Sequence, residues 1–270
     1  MKLTLIKHAV IVSAIATLAG CASTTSPGAV AVDRRQLLIV PAAQLEQIAQ
    51  VSFNEQNEKA RAAGRLVTQG AEYDRVRRIA ARLRQQAPVF RPDAANWNWE
   101  VALIDSPELN ASCAPGGKIT VYTGIIRSLN LTEDEIAMVV GHEIAHALRE
   151  HGREKVSQAM AQNLIGSVVL GALQTTETQA KMAGQVADVM LTLPNSRKNE
   201  TEADKIGLEL AARAGFNPAA AVSVWQKMGA ASGARPPEFL STHPANDSRI
   251  ADLTRMQAAV VPLYQAARKQ

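Results

Sequence analysis

Apolar residues recur at helical spacing over most of this 270-residue chain and alternate at strand spacing only in short stretches. A helical pattern runs from about Ala42 to Ala63. Another runs from Ala71 to Gln86, with Val76, Ile79, Ala80 and Leu83 on one side and Pro88 as its stop. Trp97 to Ile104 alternates, with Trp97, Trp99, Val101 and Leu103 on one face, and Ile119 to Thr123 reads as a second strand. Ser106-Pro107 and Pro115-Gly116-Gly117 are turn signals between them. Thr132-Glu133-Asp134-Glu135 then has the form of a capping box. It opens a helix with Ile136, Val139, Val140, Ile144 and Ala147 as its apolar surface. Arg149, His151 and Arg153 suit the C-terminal end of that helix, and Gly152 can stop it. Further helices are expected at Asn199–Ala214, at about Ala219–Ala231 and at Pro244–Ala267, with Gly215-Phe216-Asn217-Pro218 as a stop and restart. Residues 157–193 read as a packed helical hairpin, with a lid or a membrane-contacting segment as the alternative. The pattern predicts an α+β fold, mostly helical, with a small antiparallel sheet beside the Thr132 helix.

The chain opens differently. Lys2 and Lys7 precede a short apolar run, Ala9 to Leu18, which is too short for a comfortable membrane span. Leu18-Ala19-Gly20-Cys21 then has the form of a bacterial lipobox. Residues 1–20 are read as a lipoprotein signal peptide, Cys21 as the lipidated residue, 21–34 as a flexible tether and 35–270 as one domain. Ala22, where an Asp would mark retention at the inner membrane, points to the periplasmic face of the outer membrane of a Gram-negative bacterium. With Cys21 acylated, Cys113 has no partner within the chain, so a hydrophobic core must supply the stability. Removal of Lys2 and Lys7 lowers the formal charge from +4 to +2, too little to argue for nucleic acid.

The chemistry lies in His142-Glu143-Ile144-Ala145-His146. Two imidazoles four residues apart stand one turn above each other on a helix and can grip one metal ion, and Glu143 can act on a water beside it. Zinc hydrolases use three protein ligands and an open position. His151 lies nine residues after His142; along one continuous helix that is ~900°, half a turn off the His142 face. It reads as a surface histidine or one placed at the C-terminal dipole. Glu200 and Asp204 share a helix face, while Glu202 is ~200° from Glu200. Glu200 is a second candidate ligand, and Asp204 can hold a ligand histidine by its other nitrogen. A solvated acidic face is the alternative, but Ala203, Gly207 and Ala211 would let this helix lie close against the motif helix.

His-Glu-x-x-His followed by Glu-x-x-Ala-Asp resembles the zinc metallopeptidases related to HtpX and the CAAX prenyl endopeptidases, most closely their soluble periplasmic lipoprotein branch. Asn110-Ala111, Pro115-Gly116-Gly117-Lys118, Tyr122-Thr123-Gly124, Arg197, Ser241-Thr242-His243-Pro244 and Arg249 extend the likeness over about residues 70–255. The resemblance implies a gluzincin-type domain holding one zinc ion on His142, His146 and Glu200, with Glu143 as general base and acid and Asp204 behind the ligands. It further implies His243 as a switchable fourth ligand or oxyanion partner, against the alternative of a plain loop histidine. Arg249 would contact substrate or site residues, or cap a helix. Asn110, Ala111, Ser112 and Cys113 would pair with an extended peptide; Ser112 stands where the family carries a bulkier residue, and Cys113 reads as a packed residue, not a nucleophile. The expected activity is that of a zinc metalloendopeptidase acting on misfolded or unassembled envelope proteins. The alternative is a chaperone-like assembly factor with a latent site.

Overall fold

The computed structural model describes residues 21–162, 176–231, 238–243 and 247–269. The signal-peptide reading of residues 1–20 and the centre of the 157–193 hairpin lie outside the described residues. In chain order the elements are β1 (Cys21–Ala22), β2 (Gln36–Leu37), α1 (Ala42–Ala62), β3 (Leu66–Val67), α2 (Ala71–Arg84) and α3 (Ala87–Phe90). After a 3-10 turn, Pro92–Asn96, come β4 (Glu100–Ile104), β5 (Ala111–Ala114), β6 (Lys118–Tyr122), α4 (Thr123–Ser128), α5 (Glu133–Leu148) and α6 (His151–Ala161). The remainder is helical: α7 (Thr176–Leu191), α8 (Arg197–Arg213), α9 (Ala220–Ala230), α10 (Glu238–Thr242) and α11 (Asp247–Ala267). Among the described residues no helix is long and apolar enough to cross a membrane.

The main sheet has the order β3-β4-β6-β5 and is mixed, not antiparallel as expected. The hairpin β5–β6 turns through Gly116 and Gly117, both at positive φ, so β6 comes back between β5 and β4 and runs parallel to β4. A Cβ on Gly117 would meet the Trp99 ring at 2.5 Å, so the close approach requires glycine as much as the turn does. Strand β4 begins at Glu100 because Trp97 terminates the 3-10 turn. Trp97 and Trp99 pack against each other, ring centroids 5.3 Å apart, at the margin of the core.

Helix α5 is the hub. Buried residues surround it on all sides: Ile136, Val140, Ile144 and Leu148 are at most 1% exposed, and α8, α2, α9 and β5 all pack against it. Fully enclosed apolar helices belong at domain centres. The expected C-terminal helix is α11, described from Asp247 to Ala267, and the short α10 precedes it.

The N-terminal stretch departs most from expectation. Residues 21–34, read as a free tether, lie against the body as a strap. Cys21 and Ala22 pair with Leu37 and Gln36; Ser26 N donates to Phe90 O at 2.7 Å; Val30 N donates to Glu209 Oε2 at 3.1 Å; and Thr25, Val30 and Val32 are buried. A stretch rich in Ser, Thr and Gly reads as flexible because it cannot build its own core. Here the Ser23 and Thr25 hydroxyls accept from Arg149 at the end of α5, the Thr24 hydroxyl donates to Gln36, and α8 supplies Glu209 to the Val30 backbone.

Candidate metal centre

The capping box forms as expected: Thr132 Oγ1 accepts from Glu135 N at 3.3 Å, and Glu135 Oε2 accepts from Thr132 N at 2.8 Å. It fixes the start of α5 and so the direction of His142 and His146, ten and fourteen residues on. Helix α8 is capped in turn by Ser196 Oγ, which accepts from Asn199 N at 3.2 Å, and it presents Glu200 to the same point. His243, just past α10, completes the group.

His142, His146, Glu200 and His243 each bring one ligand atom into a cluster within 4.8 Å, and all four are buried. His142 Nε2 lies 3.0 Å from His146 Nε2, 3.3 Å from His243 Nδ1 and 3.4 Å from Glu200 Oε2. Glu200 Oε1 lies 3.4 Å from His146 Nε2 and 3.0 Å from His243 Nδ1. A tetrahedral ion with bonds of about 2.0–2.1 Å sets its ligand atoms about 3.3 Å apart. The side chains present therefore fit a metal of that size.

Electrostatics follow from this crowding. Burial works against charge on His142, but the carboxylates of Asp204 and Glu200 outweigh it and raise the ring to about 9. A cation at the cluster would take the place of that proton. Burial drives His146 well below the usual histidine range, keeping it neutral. Glu200 is held well below the usual carboxylate range, against burial, by His243, His142 and His146.

Glu143 faces the cleft. Burial raises its carboxyl, and Glu200 adds to that against the opposing effect of His243 and His142. Its Oε1 has no hydrogen-bond partner and stands 3.4 Å from His243 Nε2. The cleft, about 560 Å³, runs between Glu143 and His146 on one side and the Asn110–Pro115 stretch on the other, with Lys155, Asn195 and Thr242 at its margins. In the sheet order β5 is the outer strand, so its free edge looks onto this space. Cys113 is buried, and its thiol is pushed well above its ordinary value by burial and by Glu143, which suits a packed residue.

Arg249 lies behind the donors and not on the cleft wall. Its Nε and Nη2 donate to Asp204 at 2.7 and 2.6 Å, its Nη1 is 2.7 Å from Glu200 Oε2, and its guanidinium covers the Trp225 ring at 3.8 Å. It therefore holds site residues. Asp204 Oδ1 stands 3.1 Å from His142 Nδ1, at an angle outside the hydrogen-bond range, yet close enough to act on the charge of the ring.

His151 corrects the helical-wheel argument. Helix α5 stops at Leu148, Glu150 takes a left-handed backbone (φ 51°), and α6 starts at His151 in a new direction. An extrapolation of 100° per residue has no meaning across that break. His151 is fully buried, with Nδ1 2.8 Å from His146 Nδ1 and Nε2 3.1 Å from Glu202 Oε2. It is not one of the four donors. Glu202, set aside in the sequence for facing away from Glu200, joins a buried ionic group with the fully enclosed Arg149 (Nη2 at 3.0 Å) and with Arg34 of the strap (Nε at 2.5 Å). Helical spacing did place Glu202 opposite Glu200; the missing information was the strap that covers that face.

A domain with a buried His-Glu-x-x-His helix, a carboxylate donor from a neighbouring helix and a peptide-ready strand edge is that of a metallopeptidase. The family model of peptidase family M48 matches residues 70–257, and the chain belongs to that family. The chain is 37% identical over 152 residues to the mitochondrial metalloendopeptidase OMA1 of Arabidopsis thaliana (56% of this chain, 30% of that protein). It is 38% identical over 154 residues to the OMA1 of Schizosaccharomyces pombe (56% and 44%). It is 32% identical over 159 residues to the beta-barrel assembly-enhancing protease of Escherichia coli K12 (56% and 32%). The matched region is thus less than half the length of each of these relatives.

Proposed function

We propose that the protein is a zinc metalloendopeptidase that cleaves misfolded or unassembled envelope proteins at the periplasmic side of the outer membrane, held there by lipid on Cys21. The observation that carries the reading is the meeting of two imidazoles and one carboxylate, a set typical of catalytic zinc, with a second carboxylate, Glu143, whose Oε1 accepts no hydrogen bond at the wall of a strand-edged cleft. Zinc on His142, His146 and Glu200 would polarise the scissile carbonyl and acidify a water. Glu143 takes the proton of the attacking water and returns it to the leaving amine; its raised pKa suits both halves of that task. The β5 edge binds substrate backbone, which gives breadth of sequence and suits clients exposing extended segments. The lipobox Leu18-Ala19-Gly20-Cys21 supports the anchor, and the assembly-enhancing protease among the relatives supports envelope clients.

The test is Glu143→Gln, assayed on an unfolded envelope protein. Zinc content should stay near one per chain while cleavage falls at least 10³-fold, the scale of a lost general base together with its charge. Retained cleavage by a clean preparation would refute the mechanism.

One observation favours a second reading, an assembly factor whose peptidase rests in a latent state. His243 Nδ1 stands among the donors, where a fourth ligand would exclude water. His243→Ala should then raise cleavage several-fold; unchanged or lower cleavage argues for an open site in which His243 serves the reaction.

A further inference from the structure

We infer that His151 is a positioning residue for the donor His146, with Glu202 as the fixed end of a hydrogen-bond chain that turns the bare nitrogen of His146 toward the metal cluster. The inference rests on the reading of His146 as a metal ligand.

The proton positions follow from the partners. Glu202 is a carboxylate held by Arg149 and Arg34, so it only accepts. His151 Nε2, 3.1 Å from Glu202 Oε2, must therefore carry the proton it shares. His151 is enclosed completely, and its second nitrogen is left bare as an acceptor in the neutral ring. Among the described residues the group at that nitrogen in hydrogen-bond reach is His146 Nδ1 at 2.8 Å, which must then be the donor. With its proton on Nδ1, the His146 ring has a lone pair on Nε2, and Nε2 is the atom that lies 3.0 Å from His142 Nε2 in the donor cluster. The opposite arrangement, with the proton on Nε2, would point N–H at the ion and abolish binding. Metal-binding histidines usually give their second N–H to a carboxylate or carbonyl. Here a second histidine is interposed, and the carboxylate stands one ring further out.

The chain also explains the strap. Arg34 Nε and Nη1 reach Glu202 and Glu154, Arg149 Nη1 takes in Ser23 Oγ (3.1 Å) and Thr25 Oγ1 (3.3 Å), and Gln36 Nε2 donates to the Arg149 carbonyl at 2.6 Å. Residues 21–37 thus cover the far end of the relay and hold Glu202 away from water, where it can fix only one tautomer of His151.

The test titrates metal-stripped full chain with Zn²⁺ against a chromophoric chelator, for the parent, His151→Leu and His151→Gln. Leucine fills the space without accepting a hydrogen bond. Glutamine can accept from His146 through Oε1 and donate to Glu202 through Nε2. Expected is a 10–100-fold loss of Zn²⁺ affinity for His151→Leu and recovery to within a few-fold for His151→Gln. Equal affinity of His151→Leu and parent overturns the inference, and so does a His151→Gln variant no better than His151→Leu, which would indicate packing alone. Ring ¹⁵N NMR of the histidine-labelled parent decides the matter even if His151→Leu does not fold. The prediction is protonated Nδ1 on His146 and protonated Nε2 with bare Nδ1 on His151; a protonated His151 Nδ1 overturns it. A parent that binds no Zn²⁺ refutes the metal site itself, a different failure from any of these.

Discussion

The hydrogen atom of Gly207 on α8 takes the place of a side chain that would press on the backbone of His142: a Cβ built at Gly207 would stand 2.8 Å from both N and Cα of His142. The partner position is equally tight, since a Cβ on Gly141 would meet Gly207 O at 3.0 Å. The two helices that carry His142 and His146, and Glu200 and Asp204, therefore touch backbone to backbone beside the metal cluster. Backbone cannot move aside as a side-chain tip can. Gly207→Ala should force the helices apart, costing about 1–3 kcal/mol as overpacking and a Tm drop of several degrees. Because the gap opens between His142 and the α8 carboxylates, Zn²⁺ affinity should fall at least tenfold as well. Gly184→Ala on α7, where a Cβ meets nothing within 4 Å, is the control and should leave Zn²⁺ affinity unchanged while holding Tm or raising it slightly through the helix propensity of alanine. Calorimetry and chelator competition on the two variants check the prediction.

The parts of this arrangement that could be read from the sequence are those with a local cause. The Thr132–Glu135 box, the i, i+4 spacing of His142 and His146, and the small residues Ala203 and Gly207 opposite them each act within one helix or across one contact. The strap, the place of His151 and the parallel pairing of β4 with β6 have non-local causes. Arg149 and Glu202 are 53 positions apart and Arg149 and Thr25 are 124 apart, so nothing in the neighbourhood of any one of them signals burial. The left-handed turn at Glu150, a non-glycine residue, has no sequence mark of its own. It misdirected the helical wheel because Gly152 offered a more obvious stop. Parallel pairing depends on which side of β4 the hairpin returns to, a matter of packing on α5.

Acid should weaken the strap before it touches the apolar core. Burial alone would raise the Glu202 carboxyl, but hydrogen bonds from His151 and Arg34 and the charge of Arg149 carry it down to about 2. An unfolded glutamate titrates near 4.5. A carboxyl depressed on folding contributes stability that is fully present above the unfolded value and lost as pH falls toward the folded one. The window is therefore pH 4.5 down to 2, and roughly 2 kcal/mol should be gone by pH 3. Glu154 is shifted in the same direction, through Arg34 and Gln36 against burial, and adds to the effect. Urea unfolding at pH 7, 5, 4 and 3 should show the parent losing its advantage over Glu202→Gln below pH 4.5. A constant difference across that range would mean that Glu202 is not held by these partners.

Substrate backbone, more than substrate side chains, should control cleavage. In the β5–β6 ladder Tyr122 N donates to Asn110 O, and Ser112 faces Thr120, so Asn110, Ser112 and Ala114 turn their backbone groups toward β6. Ala111 and Cys113 turn theirs outward to the cleft. The outward N–H of Ala111 is already taken by its neighbour, Asn110 Oδ1, at 2.9 Å, which leaves the groups of Cys113 for an incoming strand. A peptide laid antiparallel to that edge exchanges two hydrogen bonds with Cys113, each contributing about 0.5–1.5 kcal/mol net. N-methylation of the one substrate amide opposite Cys113 removes a donor and adds a clash, so kcat/KM should fall about tenfold or more at that position and little at its two neighbours. Replacing the side chain at the same position with alanine should change kcat/KM less than the methyl does. A methyl scan of one good substrate, measured against an alanine scan of the same peptide, checks both the strand-edge mode and the register.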